Sequence, residues 1–382
     1  MDISSRSRRP IVLPNTIQSN TDIPIHEPIP IPALNIRSPN IPSESISWYP
    51  RVLVIGPGGI KGIKTLGFLS PVEDFGILQY VDTHGGVSVG AVISLLIICG
   101  YRIREIVKEA VTLNLFKEIN ALDCRSIVEN RGFISSEPIR KHLTQLVINK
   151  FGNVPTLRGL YMMTGKAFVA VTLNASDEVC VMMNPFDNPD ISCVDAAMFS
   201  MNIPFVFYQL IHRGKIYVDG ALANPYPIDY FDDGKTNILG IYMRPTTPKT
   251  TVTSQIPGTI VQRIDDPITS IPLASYPLKI INAMMDQRRN DIIQHASPYC
   301  RHVALEVSND DTLGQDVTLE DKAKMLVEGF NEGKAFIAQI ISDRYISPKI
   351  PSKLSYTYPP YFMVGETEST VSDIQVLSAM DT

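Results

Sequence analysis

The chain has 382 residues, with 34 Lys and Arg against 39 Asp and Glu, a net charge of −5, 44% hydrophobic and 19% charged residues. That is too apolar for a disordered chain, and too acidic for a protein whose main partner is nucleic acid, since phosphate binding needs a surplus of Lys and Arg. The longest apolar stretch, Ala91 to Cys99, is about half of the ~18 residues a membrane span requires.

The N-terminal charges are not followed by an apolar run, so no secretory signal is expected. Five cysteines, Cys99, Cys124, Cys180, Cys193 and Cys300, are odd in number and contain no C-x-x-C spacing. They predict neither a disulfide framework nor a zinc site, and a reducing intracellular compartment is expected. No cofactor or metal site is expected either.

In chain order, residues 1–48 form a leader with Ile-Pro steps at Ile23-Pro24, Ile29-Pro30, Ile31-Pro32 and Ile41-Pro42. Proline lacks an amide hydrogen and fixes φ, which predicts an extended, disordered segment, with a docking segment as the alternative. Residues 346–382 read as a flexible C-terminal tail, with Pro348, Pro351, Pro359 and Pro360 ahead of a Ser/Thr/Glu-rich end. Residues 49–345, between the tails, suffice for one α/β domain with a large core.

Arg51 to Ile55 is an apolar run that ends at glycines, the pattern of a strand buried on both faces of a parallel sheet. A helix over 61–69, a short strand over 80–85 and a buried helix over Ser88–Cys99 follow. Residues 136–150 read as a helix with Ser136 as N-cap and Pro138 in its first turn. Ala167–Leu173 and Glu178–Met183 read as strands joined by a polar turn, 193–200 as a helix, and 215–218 and 238–242 as strands. Thr318-Leu319-Glu320-Asp321 is a capping-box pattern. It opens a helix whose face is predicted to carry Ala323, Leu326, Phe330, Gly333, Ile337 and Ile340. The alternation predicts an α/β sandwich with a mostly parallel sheet.

Three segments carry chemistry. Gly86-Val87-Ser88-Val89-Gly90 is a G-x-S-x-G between a predicted strand and a predicted helix, where a nucleophilic serine needs small neighbours at a sharp turn. The alternative is that Ser88 only caps the helix between two packing glycines. Gly56-Pro57-Gly58-Gly59-Ile60-Lys61-Gly62 follows the first strand. It lacks the G-K-[ST] ending of a Walker loop and the third glycine of a dinucleotide fingerprint. What remains is a loop that presents bare amides to a transient oxyanion, with Lys61 as a loop anchor or a solvated charge. Asp219-Gly220-Ala221 ends a strand at a turn, where the aspartate either caps the turn or joins the other two segments.

In this order the three segments resemble the patatin-like phospholipase family: a Gly-rich loop with Lys or Arg, a G-x-S-x-G serine and a D-G-[GA] aspartate. The flanks Ala196 to Ser200, Ile203 to Phe207 and Asn224-Pro225-Tyr226-Pro227 match as well, and the likeness runs from about Val52 to Ile340. The chain departs from the family at Pro57, where a glycine is common and no amide hydrogen is left to donate.

The resemblance implies a three-layer α/β sandwich and a Ser–Asp dyad in which Ser88 is the nucleophile and Asp219 the general base and acid. The Gly58 and Gly59 amides would form the oxyanion hole, Lys61 would anchor the loop, and Gly86, Gly90 and Gly220 would give room. The implied reaction is phospholipase A-type hydrolysis of a phospholipid or other acyl-ester lipid, at a membrane or micelle surface, by a cytoplasmic protein with peripheral membrane association and Pro-rich tails open to protein partners. An acyltransferase on the same dyad, a silent lipid-binding scaffold, and a full triad using His295 or His302 are the alternatives.

Overall fold

The computed structural model describes residues 48–112, 128–246, 276–307 and 317–343. The leader up to residue 47, the tail from 344 and Cys124 lie outside the described residues.

The strands are β1 (Val52–Ile55), β2 (Thr83–Val87), β3 (Gly132–Ile134), β4 (Ala167–Asn174), β5 (Val179–Met183), β6 (Phe205–Phe207), β7 (Leu210–His212), β8 (Lys215–Asp219), β9 (Ile238–Pro245) and β10 (Cys300–Val307). The main sheet has the order β10-β9-β1-β2-β4-β8-β7, with β5 also on β4. Neighbours from β10 to β4 are parallel, whereas β5, β7 and β8 join antiparallel. A separate pair joins β3 to β6.

The apolar run of β1 explains its central place. Leu53 and Ile55 enter one core, with helix residues such as Phe68, Leu95 and Phe336. Val52 and Val54 enter a second core, with Tyr226, Ile228 and Ile292. Successive side chains of a strand point to opposite faces, so both faces of the sheet are covered and the fold is an α/β sandwich.

The helices are α1 (Gly62–Asp74), α2 (Val89–Ile98), α3 (Ile103–Thr112), α4 (Glu137–Phe151), α5 (Leu157–Thr164), α6 (Cys193–Ser200), α7 (Ile228–Phe231), α8 (Tyr276–His295) and α9 (Leu319–Asp343). Among the described residues no helix is long and apolar enough to cross a membrane. Cys99, Cys180, Cys193 and Cys300 are free thiols.

Two helices differ from the sequence reading for one reason, the close packing of α1 on α9. The predicted helix over 61–69 runs on to Asp74, through Pro71. Although a proline removes one helical hydrogen bond, α9 presses on this stretch. A Cβ on Gly67 would lie 2.3 Å from the Leu326 carbonyl oxygen, and one on Gly333 would lie 2.4 Å from that of Phe68.

The same contact shapes the buried face of α9, where Gly333 and Ile340 of the predicted face are buried, and Leu326 and Ile337 half-buried. Lys322, Gly329, Gly333, Phe336 and Ile340 are buried, whereas Ala323 and Phe330 of the predicted face are exposed. Glycine, not the larger side chain, occupies the line of closest approach. The cap of α9 is the predicted one: the Asp321 amide donates to Thr318 Oγ1 at 3.1 Å and the Thr318 amide donates to Asp321 Oδ2 at 2.9 Å. Ser136 occupies the N-cap position of α4 but makes no side-chain capping bond. The neighbouring Ser135 Oγ accepts the Glu137 amide instead, at 3.2 Å.

Candidate active site

Ser88 sits at the turn from β2 to α2 with φ 57° and ψ −128°, backbone angles that L-residues adopt only where the surroundings enforce them. The flanking glycines show what enforces them. A Cβ on Gly86 would lie 2.4 Å from Ala91 Cα, and one on Gly90 would lie 2.2 Å from the Ile55 carbonyl oxygen. The Ser88 amide donates to Ser200 Oγ at 2.9 Å, and Ser200, the last residue of α6, is fully buried.

Asp219 is brought to Ser88 by β4. Val171 of β4 pairs with Val87 of β2 on one edge and with Met182 of β5 on the other. The next residue, Thr172, pairs with Val181 of β5 and with Asp219 of β8. Since β5 occupies one edge throughout, β2 and β8 share the opposite edge. They run in opposing directions along it, and their C-terminal ends meet. Ser88 follows Val87 directly, so the serine and the aspartate face each other across this junction. Gly220 makes the meeting possible, because a Cβ there would lie 2.1 Å from the Val171 carbonyl oxygen.

The Asp219 amide donates to the Asn202 carbonyl at 2.9 Å, and Asp219 Oδ1 accepts the Ala221 amide at 2.9 Å. The Ser88 side chain meets the same carboxylate and favours its charged form. Burial disfavours the charged carboxylate and pushes its pKa up to about 6, while the Ala221 amide and the Ser88 side chain hold it down. A carboxylate with this pKa is matched to proton transfer near neutral pH.

The Gly-rich turn supplies the third component. Gly58 is extended, and Gly59 begins a single 3-10 turn that ends at Lys61, with Gly59 at a left-handed φ of 52°. The Lys61 amide closes the turn on the Gly58 carbonyl at 3.0 Å. Among the described residues, no acceptor engages the Gly58 or Gly59 amide. Gly59 and Ser88 line one cavity of about 130 Å³, whose walls include Leu66, Val92, Leu96, Leu143 and Phe207. Gly58 lies one residue behind that lining, and its Cβ position faces Met243 at 3.2 Å.

The two histidines weighed for a triad sit elsewhere. His302 lies on β10, three strands from β2, with Nδ1 3.0 Å from the Tyr226 hydroxyl. His295 Nδ1 lies 2.8 Å from the Asp291 carbonyl oxygen. Sequence reasoning did not single out the parts played by Ser200 and Asn202. Both fall in or beside the 196–207 flank, which was quoted only as part of a likeness.

Residues 53–232 match the family model described as patatin-like phospholipase. The matched stretch holds Ser88, Asp219 and the Gly-rich turn, so the likeness to this family covers the whole candidate site. It is 28% identical over 188 residues to the probable lipid hydrolase 463L of Invertebrate iridescent virus 6, a match covering 47% of this chain and 63% of that protein. It is 24% identical over 196 residues to the uncharacterized protein R571 of Acanthamoeba polyphaga mimivirus, covering 50% and 64%. Each match thus spans less than two thirds of the relative's length. Among solved structures, VipD from Legionella pneumophila is similar with a TM-score of 0.46 at 13% identity, covering 78% of this chain and 68% of that one.

Proposed function

We propose that the protein is a lipid acyl hydrolase of phospholipase A type, acting through Ser88 and Asp219 and an acyl-enzyme intermediate. The observation that carries this reading is the meeting of Ser88 with a buried carboxylate whose pKa is raised to about 6, at a strained turn that opens on an apolar cavity.

In this mechanism Ser88 Oγ attacks the ester carbonyl while its proton passes to Asp219. The negative charge of the tetrahedral intermediate develops beside the Gly59 amide, with Gly58 as the second donor, and the N-terminus of α2 favours the same charge. Asp219 then gives the proton to the departing alcohol, and the carbonyl re-forms as the acyl ester of Ser88. Water attacks this ester, loses its proton to Asp219 and releases the carboxylic acid as the serine regains its hydrogen. The lining of Ile, Leu, Val and Phe suits an alkyl chain and supports a lipid acyl ester as the substrate class.

The reading places the substrate at a membrane or micelle surface, the protein in the cytoplasm with peripheral membrane association, and the Pro-rich leader and tail outside the catalytic unit, open to protein partners. The test is release of fatty acid from phospholipid vesicles by the full chain and by Ser88→Ala. Hydrolysis by the parent and none by the variant supports the reading. Equal release by both contradicts it.

A further inference from the structure

The cavity beside Ser88 runs along α2, with Val89, Val92, Ile93 and Leu96 on its lining. From Ser88 to Leu96 is eight residues, about 12 Å of helix, enough for a medium-length alkyl chain. The deeper lining is almost wholly aliphatic: Leu66, Ile93, Leu96, Ile106, Leu143 and Leu146 are all buried. Apart from Ser88, two lining side chains carry polar groups, Glu109 on α3 and His142 on α4. They meet each other, His142 Nε2 lying 3.1 Å from Glu109 Oε2, with side-chain exposures of 34% and 32% that place both on the rim.

The two helices have different supports. α3 packs on α1 and α2, whereas α4 packs on α6. At the rim the pair bridges these two walls, while the Tyr101 hydroxyl, which donates to the Leu146 carbonyl at 2.8 Å, joins α4 to the start of α3. Stability does not account for the pair. A pair this exposed contributes about 0–1 kcal/mol, and an apolar pair in its place is commonly as stable or more so. Nor is the pair satisfied as a structural bond: His142 Nε2 is buried and, despite the short distance, lacks an aligned hydrogen-bond partner.

We infer that Glu109 and His142 form a specificity-determining clasp across the rim of the acyl cleft. It fixes the separation of α3 and α4 so that the cleft accepts one linear chain and excludes chains branched near the carboxyl end. This rests on the acyl-hydrolase reading for what enters the cleft, while the clasp itself rests on the wall geometry.

The test uses the full chain carrying Ser88→Ala, so that binding is read without turnover. Displacement of a dansyl-labelled fatty acid by octanoate and by its branched isomer valproate gives a preference ratio. In the Ser88→Ala chain octanoate binds more tightly. Adding Glu109→Ala with His142→Ala lowers the ratio by about threefold to fivefold, equivalent to at most about 1 kcal/mol, and Glu109→Gln shifts it in the same direction. Should the multiple variant fail to fold, Glu109→Gln alone carries the test. A ratio that stays within about twofold of its starting value, or failure of both acids to displace the probe, overturns the inference. Octanoate binding without hydrolysis of any acyl ester by the parent would remove the proposed function and leave the clasp standing.

Discussion

The Ser88 side chain meets the buried Asp219 carboxylate and favours its charged form, and no described histidine is bonded to either residue. Two strand ends that meet on one edge of β4 create this contact, so it depends on the sheet and not on a flexible loop. Asp219→Asn keeps the shape and removes the base. Acyl-ester hydrolysis is expected to fall by about 10²–10⁴-fold, measured as kcat on a soluble short-chain ester.

The raised pKa of Asp219 sets the pH dependence. The proposed base must be ionised, so activity is expected to rise with pH through about 6 and level off above it. The same shift has a consequence for stability. A carboxyl whose folded pKa lies above its unfolded value of 3.8 opposes folding when it is ionised. Asp219→Asn is therefore expected to be more stable than the parent at pH 8, by up to about 3 kcal/mol, with the advantage fading between pH 6 and 4. Thermal melts at both pH values check this.

His84 gives the opposite dependence. It is fully buried on β2, and burial lowers its pKa from 6.5 to about 3. The unfolded chain takes up a proton below about pH 6.5 that the folded chain refuses, so stability falls as pH falls. At pH 5 this group accounts for a loss of about 2 kcal/mol. His84→Leu is expected to flatten the decline in Tm between pH 7 and 5, and an unchanged slope would refute the assignment.

Ser200 supports the elbow without touching substrate. Ser200→Ala leaves the buried Ser88 amide without its acceptor, which is expected to cost about 1–3 kcal/mol of stability. Because that amide belongs to the strained residue, kcat is expected to fall while KM holds. Ser200→Thr keeps the oxygen and is expected to restore part of the loss, which steady-state kinetics on the two variants would show.

Much of this site was legible in the sequence because glycine marks where chain segments touch. Gly86, Gly90 and Gly220 each have a backbone atom within about 2.5 Å of a would-be Cβ, so motif and geometry report one constraint. The same logic bears on α9, whose predicted face includes Gly333 but takes Phe330 where Gly329 makes the close approach. Gly329 is a weaker signal than Phe330, yet the backbone of α1 lies against it as it does against Gly333. Ser200, Asn202 and the Glu109–His142 pair could not be read from the chain, because their roles arise from nonlocal pairing. Ser200 is 112 residues from Ser88, and ordinary polar residues at such separations carry no local pattern.

The most direct test of the central claim is labelling of the purified full chain with a fluorophosphonate, followed by mass mapping of the modified peptide. The account predicts one label, on Ser88, with strongly reduced labelling in Asp219→Asn. A label on another serine, or none under conditions where the chain is folded, would contradict it.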